Sequence, residues 1–85
     1  MAWTVLVASP ARKQHAKFPA RDQARVSAAI AQMADDPFTG DVLKLEGEGN
    51  GWRRRVGSYR IFFSVDASIR TVFVSAIVRR TSKTY

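Results

Sequence analysis

The sequence contains no cysteine and only one histidine, His15, among its 85 residues. Disulfide bonds, thiolate nucleophiles and cysteine-based zinc sites are therefore excluded, and one histidine cannot form a His-rich metal cluster. Long hydrophobic runs are also absent. The apolar segment Ala2–Ala8 is short and has no basic leader, so it predicts a β-strand rather than a signal peptide or a membrane span. We expect a cytoplasmic protein with a single domain over residues 1–85.

Acidic residues are scarce in the second part of the chain. Residues 51–85 hold eight Lys and Arg side chains against one carboxylate, Asp66, whereas residues 1–50 hold six of each sign. The formal net charge of +7 therefore belongs to residues 51–85. Such one-sided charge steers a protein toward a polyanion, and nucleic acid is the commonest one in the cytoplasm. An acidic protein would be attracted by the same positive charge. The sequence has no long amphipathic basic helix that would indicate membrane binding.

The most informative segment is Gly51–Val65, in which two apolar-rich runs flank Gly57-Ser58. A glycine that opens a two-residue loop predicts a β-hairpin. Alternation of side chains then places a core on one face, formed by Trp52, Val56, Tyr59, Ile61, Phe63 and Val65. The other face carries Arg53, Arg55, Arg60 and Phe62, with Arg55 directly opposite Arg60. We call this second face the arginine face.

The arginine face is electrostatically unusual, because the hairpin contains no carboxylate to relieve Arg55 and Arg60. Like charges opposite each other on a sheet repel, and a cross-strand pair contributes about 0.2–1 kcal/mol in either direction. Grouped guanidinium groups bind phosphate in bidentate fashion, and an aromatic ring beside them favours an anion site. The alternative is a solvated basic surface, which is how most runs of charge turn out.

The segments before the hairpin predict a strand, two helices and a short strand, with these bounds: Trp3–Ala8, Ser9 to about Phe18, Ala20–Asp35 and Val42–Leu45. The first strand has apolar residues at both odd and even positions, which predicts burial on both faces. Ser9 suits a helix N-cap and Pro10 the first helical position. The apolar stripe of the second helix comprises Val26, Ala29, Ile30 and Met33. His15 is expected to pack its ring at the edge of the first helix, without a chemical role.

The most apolar segment, Thr71–Arg80, predicts a central strand buried on both sides. One face is expected to carry Val72, Val74, Ala76 and Val78, and the other Phe73, Ser75 and Ile77. Which terminal arginine joins the arginine face depends on the preceding turn. A three-residue turn, Ala67–Ile69, places Arg80 there, whereas a turn one residue longer or shorter places Arg79 there.

Together the segments predict an α+β fold, with two N-terminal antiparallel helices packed on one face of a small, mainly antiparallel four-stranded twisted sheet (β-α-α-β-β-β). This order resembles the RelE/ParE superfamily of bacterial type II toxin–antitoxin toxins, and its RelE branch in particular. The matching segments are Asp36-Pro37-Phe38, Lys44-Leu45, Trp52–Ile61, and Arg79-Arg80 followed by Tyr85. The family pattern is a tryptophan, an R-x-R, a G-x-Y-R, and an arginine and tyrosine near the C-terminus. Arg54 stands where the family more often has an apolar residue, so its stem is expected to snorkel.

The resemblance implies an endoribonuclease that cuts mRNA in the ribosomal A site and uses no metal or other cofactor. The 2′-hydroxyl of the message attacks the adjacent phosphate, leaving a 2′,3′-cyclic phosphate and a free 5′-hydroxyl. Residue by residue, the resemblance implies a catalytic group in which Arg60 and Arg80 hold the scissile phosphate, Arg55 with Arg53 positions the backbone and stabilises developing charge, and Tyr85 stacks on a base or exchanges the 2′-hydroxyl proton. Further RNA contacts are expected from Lys44, Phe62, Arg79 and Lys83.

The resemblance also implies partners. These are an acidic, helical cognate antitoxin, through which the complex can bind operator DNA, and the ribosome with its mRNA. The strongest rival is the ParE branch of the same fold, which inhibits DNA gyrase by protein contact and is not a nuclease. A third interpretation is a basic RNA-binding module without partner or activity. The grouped strand arginines with a terminal arginine and tyrosine favour the RelE branch over the gyrase inhibitors.

Overall fold

A computed structural model describes residues 2–47 and 51–80, which form two helices and one five-stranded sheet. In chain order the elements are β1 Thr4–Val7, α1 Ser9–Ala16, α2 Ala20–Met33, β2 Asp41–Lys44, β3 Gly51–Val56, β4 Tyr59–Asp66 and β5 Thr71–Arg79. The predicted α+β class and the mainly antiparallel sheet are confirmed. The sheet has five strands instead of the predicted four, because all five predicted strand segments, including the short one before the hairpin, join the same sheet.

The strands lie in the order β1-β5-β4-β3-β2, and only the β1–β5 pair among them is parallel. Val5 and Val7 of β1 pack against the core, whereas Leu6 on the other side is 51% exposed. The prediction that this first strand is buried on both faces is therefore wrong. Its position at the edge of the sheet, with helices on one side, explains the alternation in burial.

Both helices contribute to a single core on one face of the sheet. Ala11 of α1 and three residues of the predicted α2 stripe, Val26, Ala29 and Met33, are buried there. They form a cluster with Tyr59, Ile61, Phe63, Val72, Val74 and Ile77 of the sheet. Among the described residues, neither helix is long and apolar enough to cross a membrane.

The predicted helix bounds differ slightly from those observed. Helix α1 begins at Ser9, with Ala8 rather than Ser9 in the N-cap position. Helices α1 and α2 each end two residues before the predicted ends, at Ala16 and Met33. Such differences are typical of helix ends, where the last turn loosens.

The hairpin of β3 and β4 is confirmed in register. Val56 lies opposite Tyr59, Arg55 opposite Arg60 and Trp52 opposite Phe63. Gly57 has a φ of +58°, a left-handed conformation that glycine adopts easily and that two-residue hairpin turns require. The local turn signal was sufficient to fix every cross-strand pair of the hairpin.

Strand β5 contains a β-bulge that changes which side chains share a face. Phe63 pairs with Val74 but Phe62 pairs with Ala76, so Ser75 is the extra residue. The Ser75 hydroxyl donates to the Phe62 carbonyl at 3.2 Å. Beyond the bulge the faces differ from the prediction: Ile77 is in the core, whereas Ala76 and Val78 lie on the arginine face. The prediction that β5 is buried on both sides is also wrong, because the helices cover only one side of the sheet. Phe73, on the other side, is 40% exposed.

Candidate nucleic-acid interface

The centre of the arginine face is a row of residues that crosses four adjacent strands. Asp41 of β2 pairs with Arg55 of β3, which pairs with Arg60 of β4, and Arg60 pairs with Val78 of β5. Since directly opposed residues share a face, all four side chains lie on the side away from the helices. Arg53 lies two residues from Arg55 and belongs to the same face. The structure therefore brings together three of the predicted site arginines.

Arg55 is not free of a carboxylate. The segment Gly51–Val65 holds none, as the sequence indicates, but β2 supplies Asp41, whose Oδ2 lies 2.9 Å from Arg55 Nε. The expectation that Arg55 and Arg60 face each other without a carboxylate is therefore wrong. Both side chains of this ion pair are about half exposed, at 56% and 50%. The contact uses the Nε edge of Arg55, so solvent still reaches much of its guanidinium group.

Arg60 is the most electrostatically crowded of the group. Its Nη1 donates long hydrogen bonds to the carbonyls of Tyr59, at 3.3 Å, and Gly57, at 3.4 Å. Burial lowers the pKa of Arg60 from its usual value, and the neighbouring Arg53, Arg80 and Arg55 lower it further; Asp41 acts in the opposite direction. A bound anion would relieve this repulsion. The arrangement is therefore suited to holding a phosphate.

Arg80, not Arg79, belongs to the arginine face. Arg79 pairs with Tyr59, whose side chain is in the core, so Arg79 lies on the helix side. Arg80 follows it on the opposite side by alternation, and its N–H donates to the Ser58 carbonyl at 2.6 Å. Of the two alternatives that the sequence left open, the structure has Arg80 on this face, and the predicted RNA contact of Arg79 stays a prediction.

Phe62 lies on the arginine face beside Arg53 and is half-buried. It lines a shallow groove of about 610 Å³ that also involves Trp52, Ser64, Ser75 and Ala76. An aromatic wall next to guanidinium groups suits a base stacked beside its own phosphate. Among the described residues of the predicted set, Phe62 is the one whose ring lines this groove.

Of the other predicted residues, Lys44 does not join this group. Lys44 pairs with Trp52, which places it on the helix side, with its Nζ 5.8 Å from the centre of the Trp52 ring. Leu43, not Lys44, lies opposite Arg53, so Lys44 is off the arginine face and its predicted RNA contact stays a prediction. Lys83 and Tyr85 lie outside the described residues, so their predicted roles stay predictions.

Arg54 is buried and does not snorkel, contrary to expectation. It is 8% exposed, and its Nη1 donates to the Ala29 carbonyl at 3.1 Å while Nη2 donates to Gln32 Oε1 at 2.6 Å. Burial lowers the pKa of Arg54. Its Nε has no hydrogen-bond partner among the described residues. This arginine anchors β3 beneath α2, while its neighbours Arg53 and Arg55 point the other way.

Sequence reasoning missed Asp41 and Arg54 because both depend on non-local contacts. His15 behaves as predicted: its Nε2 lies 3.0 Å from the Gln23 carbonyl, and its ring packs edge-on against Phe18. In residues 2–47 and 51–80, no group of three or more His, Asp or Glu side chains is placed to hold a metal ion.

Comparison with known proteins gives a family match over nearly the whole chain. Residues 3–83 match the model of the ParE toxin of type II toxin–antitoxin systems, parDE. No curated protein sequence matches the chain.

Solved structures with the same fold are toxins and toxin–antitoxin complexes. The archaeal RelE–RelB complex from Pyrococcus horikoshii has a TM-score of 0.84 at 24% identity, covering 98% of this chain and 100% of that one. The RelBE2 complex from Mycobacterium tuberculosis has a TM-score of 0.82 at 24% identity, covering 94% and 100%. The isolated Escherichia coli RelE toxin has a TM-score of 0.81 at 17% identity, covering 96% and 88%. At these identities the likeness establishes the fold.

Proposed function

This chain belongs to the ParE toxin family of type II toxin–antitoxin systems, and we propose that it acts as a ribosome-dependent mRNA endoribonuclease. The observation that carries the proposal is Arg60, which lies among Arg53, Arg55 and Arg80 on one face of the sheet. Cleavage by the 2′-hydroxyl of the message builds negative charge on the oxygens of the attacked phosphate. Preorganised guanidinium groups stabilise charge of this kind.

Each residue of the arginine face has a proposed role. Arg60 and Arg80 hold the scissile phosphate, while Arg53 and Arg55 position the backbone on either side of it. The 2′-oxygen forms a bond to phosphorus as the bond to the 5′-oxygen breaks. The 2′-hydroxyl loses a proton and the 5′-oxygen gains one, an exchange for which Tyr85 is the proposed phenol. These steps leave a 2′,3′-cyclic phosphate and a 5′-hydroxyl.

Ribosome dependence follows from the groups on this face. Guanidinium groups remain protonated near neutral pH, so they stabilise charge but accept no proton from a 2′-hydroxyl. Asp41, the carboxylate beside them, is engaged by Arg55. We therefore propose that the ribosome supplies the alignment of the message, which on its own accounts for large rate factors.

The experiment is cleavage of a defined mRNA by the purified protein, with and without a programmed ribosome, followed by mapping of the product ends. We expect cleavage on the ribosome and a 2′,3′-cyclic phosphate end. Efficient cutting of naked RNA, or a 3′-hydroxyl product, would contradict the proposal. The matched control is Arg70→Gln, which removes the same charge at the other end of β4 and β5.

We also propose that an acidic, helical antitoxin silences the toxin in the cytoplasm, and that the complex binds operator DNA through the antitoxin. Two observations support this: the similar structures from Pyrococcus horikoshii and Mycobacterium tuberculosis are toxin–antitoxin complexes, and residues 51–85 hold the net positive charge. Copurification with the product of a neighbouring small acidic reading frame tests the partner.

Inhibition of DNA gyrase is the second candidate function, since the matching family model is that of ParE. A gyrase inhibitor acts through protein contact and needs no phosphate-binding arginines. Trapped gyrase–DNA cleavage complexes, together with intact mRNA on the ribosome, would establish this function in place of the nuclease.

A further inference from the structure

The hairpin turn is surrounded by arginines that come from both sides of the sheet. From the arginine face, Arg60 Nη1 reaches the Gly57 carbonyl at 3.4 Å. From the helix side, Arg25 of α2 lies so close that a methyl group at Gly57 would be 3.0 Å from Arg25 Nη2. Arg79 and Arg80 follow each other at the end of β5, on the helix side and the arginine face respectively. Four arginines therefore surround the turn: Arg60 and Arg25 reach it with their guanidinium groups, and Arg79 and Arg80 lie beside it in the backbone pairing.

The carboxylate on α2 close to Arg25 is hydrogen-bonded to a tyrosine. Asp22 lies one turn before Arg25 on α2, but its Oδ2 accepts a hydrogen bond of 2.7 Å from the Tyr59 hydroxyl. Tyr59 is 3% exposed and packs against Phe18. This hydrogen bond raises the pKa of Tyr59, while Arg79 and Arg25 act in the opposite direction, so both guanidinium groups lie near the same hydroxyl.

Arg25 and Arg79 have no ion-pair partner within 4 Å among residues 2–47 and 51–80, where the one ion pair joins Arg55 and Asp41. Both are exposed. Folding alone gives little reason to place two exposed arginines beside a turn that already carries Arg60 and Arg80, because like charges destabilise the compact state. A ligand that carries several negative charges would compensate all four.

We propose that the phosphate-binding surface continues from Arg60 and Arg80 around the Gly57-Ser58 turn to Arg79 and Arg25, so that one RNA strand contacts both faces of the sheet. This inference rests on the proposed function, because it extends the same RNA site. Tyr59 pairs with Arg79 and precedes Arg60. Because successive side chains of a strand point to opposite faces, Arg60 and Arg79 lie on the two sides of the sheet beside the same turn.

The surface around the turn suits RNA better than a protein. A protein interface has an apolar centre with a polar rim. The large apolar side chains that are exposed among the described residues are Leu6, Phe38, Leu43, Ile69 and Phe73, none of which lies in or next to the turn. Gly57 and Ser58 are exposed, and the side chains that reach Gly57 are the guanidinium groups of Arg60 and Arg25. A phosphodiester backbone needs such groups and no apolar centre.

The test is the salt dependence of binding to a fluorescein-labelled 2′-O-methyl oligouridine of about ten nucleotides, a length within the range of single-strand sites. The 2′-O-methyl group prevents cleavage, so the free protein is measured at equilibrium. Each phosphate contact that is lost should reduce the slope of log K against log salt by about 0.7. We expect the double variant R25Q/R79Q to reduce the slope by about 1.4.

The control is R70Q, which removes one positive charge, as each of the single variants R25Q and R79Q does. Arg70 lies at the other end of β4 and β5, about 25 Å of strand from the turn, and its Nε donates to the Ala2 carbonyl at 3.1 Å. R70Q should leave the slope unchanged. Thermal unfolding verifies that each variant is folded. If the double variant is unstable, the single variants R25Q and R79Q are measured instead, and each should reduce the slope by half as much.

Equal slopes for R25Q/R79Q, R70Q and the parent would overturn the inference. A double variant that keeps the RNA slope but loses affinity for the antitoxin would also overturn it, because the turn would then be a protein interface. Failure of the proposed function is distinct, since it appears as absence of cleavage by the parent protein on a programmed ribosome, whatever the slopes.

Discussion

At the scale of single residues, Arg60 gives the most direct test of the arginine face. Its two hydrogen bonds are long and reach only carbonyls of its own turn, while three arginines crowd it. We expect Arg60→Gln to melt at the same temperature as the parent or slightly higher, because repulsion is removed. Ribosomal mRNA cleavage should slow by about 10²-fold or more, the scale of losing one preorganised donor. Calorimetry and single-turnover cleavage measure the two effects on the same protein.

Two outcomes would contradict this prediction. A much lower melting temperature would mean that Arg60 stabilises the fold through contacts beyond these carbonyls. Full activity in a stable variant would mean that the arginine face is a solvated surface.

Asp41 is predicted to weaken anion binding by occupying Arg55. We expect Asp41→Asn to bind the 2′-O-methyl oligonucleotide about two- to fivefold more tightly, the scale of an exposed ion pair. Asp35→Asn, in an exposed position after α2, is the charge-matched control and should leave the affinity unchanged. Weaker binding by Asp41→Asn would show instead that the ion pair orients Arg55 for its ligand.

At the scale of elements, the sequence correctly predicted the parts of the fold that are determined by residues close together in the chain. The hairpin register was correct because Gly57-Ser58 and two alternating strands determine it within a few residues. Arg80 reached its predicted face by a different route: the turn has four residues, 67–70, instead of three, and the bulge at Ser75 restores the alternation. The longer turn and the bulge have opposite effects on which face Arg80 occupies, so they cancel. Neither can be recognised from the sequence pattern.

Contacts between distant elements account for the rest of what the sequence did not predict. The Asp41–Arg55 pair exists only because β2 adopts one particular register on β3. Arg54 is buried because α2 offers the Ala29 carbonyl and the Gln32 side chain. Neither partner is adjacent to Arg54 in sequence, so periodicity alone predicted an exposed end for that side chain.

The turn before β2 should be intolerant of a side chain for a reason specific to Arg54. Gly40 has a φ of +89°, and a methyl group there would lie 2.8 Å from Arg54 Nε. Gly47 has a similar φ of +74° but no atom within 4 Å of such a methyl group. Both alanine variants carry the left-handed strain, about 1–2 kcal/mol, and Gly40→Ala should lose about 1–3 kcal/mol more from overpacking. Urea unfolding measures the difference, and equal losses would show that the Arg54 end moves aside freely.

At the scale of the whole molecule, the net charge of +7 should determine how fast an acidic antitoxin binds. Long-range attraction raises association rates and is screened by salt. We expect the association rate to fall about tenfold or more between about 0.05 and about 0.5 M NaCl. Stopped-flow mixing measures it, and R53Q/R55Q should show a smaller fall. An association rate that does not change with salt would mean that apolar contacts alone drive the binding.

The parallel pairing of β1 with β5 has a consequence for how the chain folds. Thr4 meets Thr71, near the other end of the described chain, so the edge of the sheet closes only after a long loop is ordered. The hairpin needs no such closure. Trp3 lies beside β1 under Arg70, and Trp52 lies in β3, so single-tryptophan variants report the two events separately. We expect the Trp3 signal to lag behind the Trp52 signal during refolding, whereas identical time courses would mean that the sheet forms in one step. Until β1 docks, a newly synthesised chain would expose the apolar edge of β5 to chaperones and proteases.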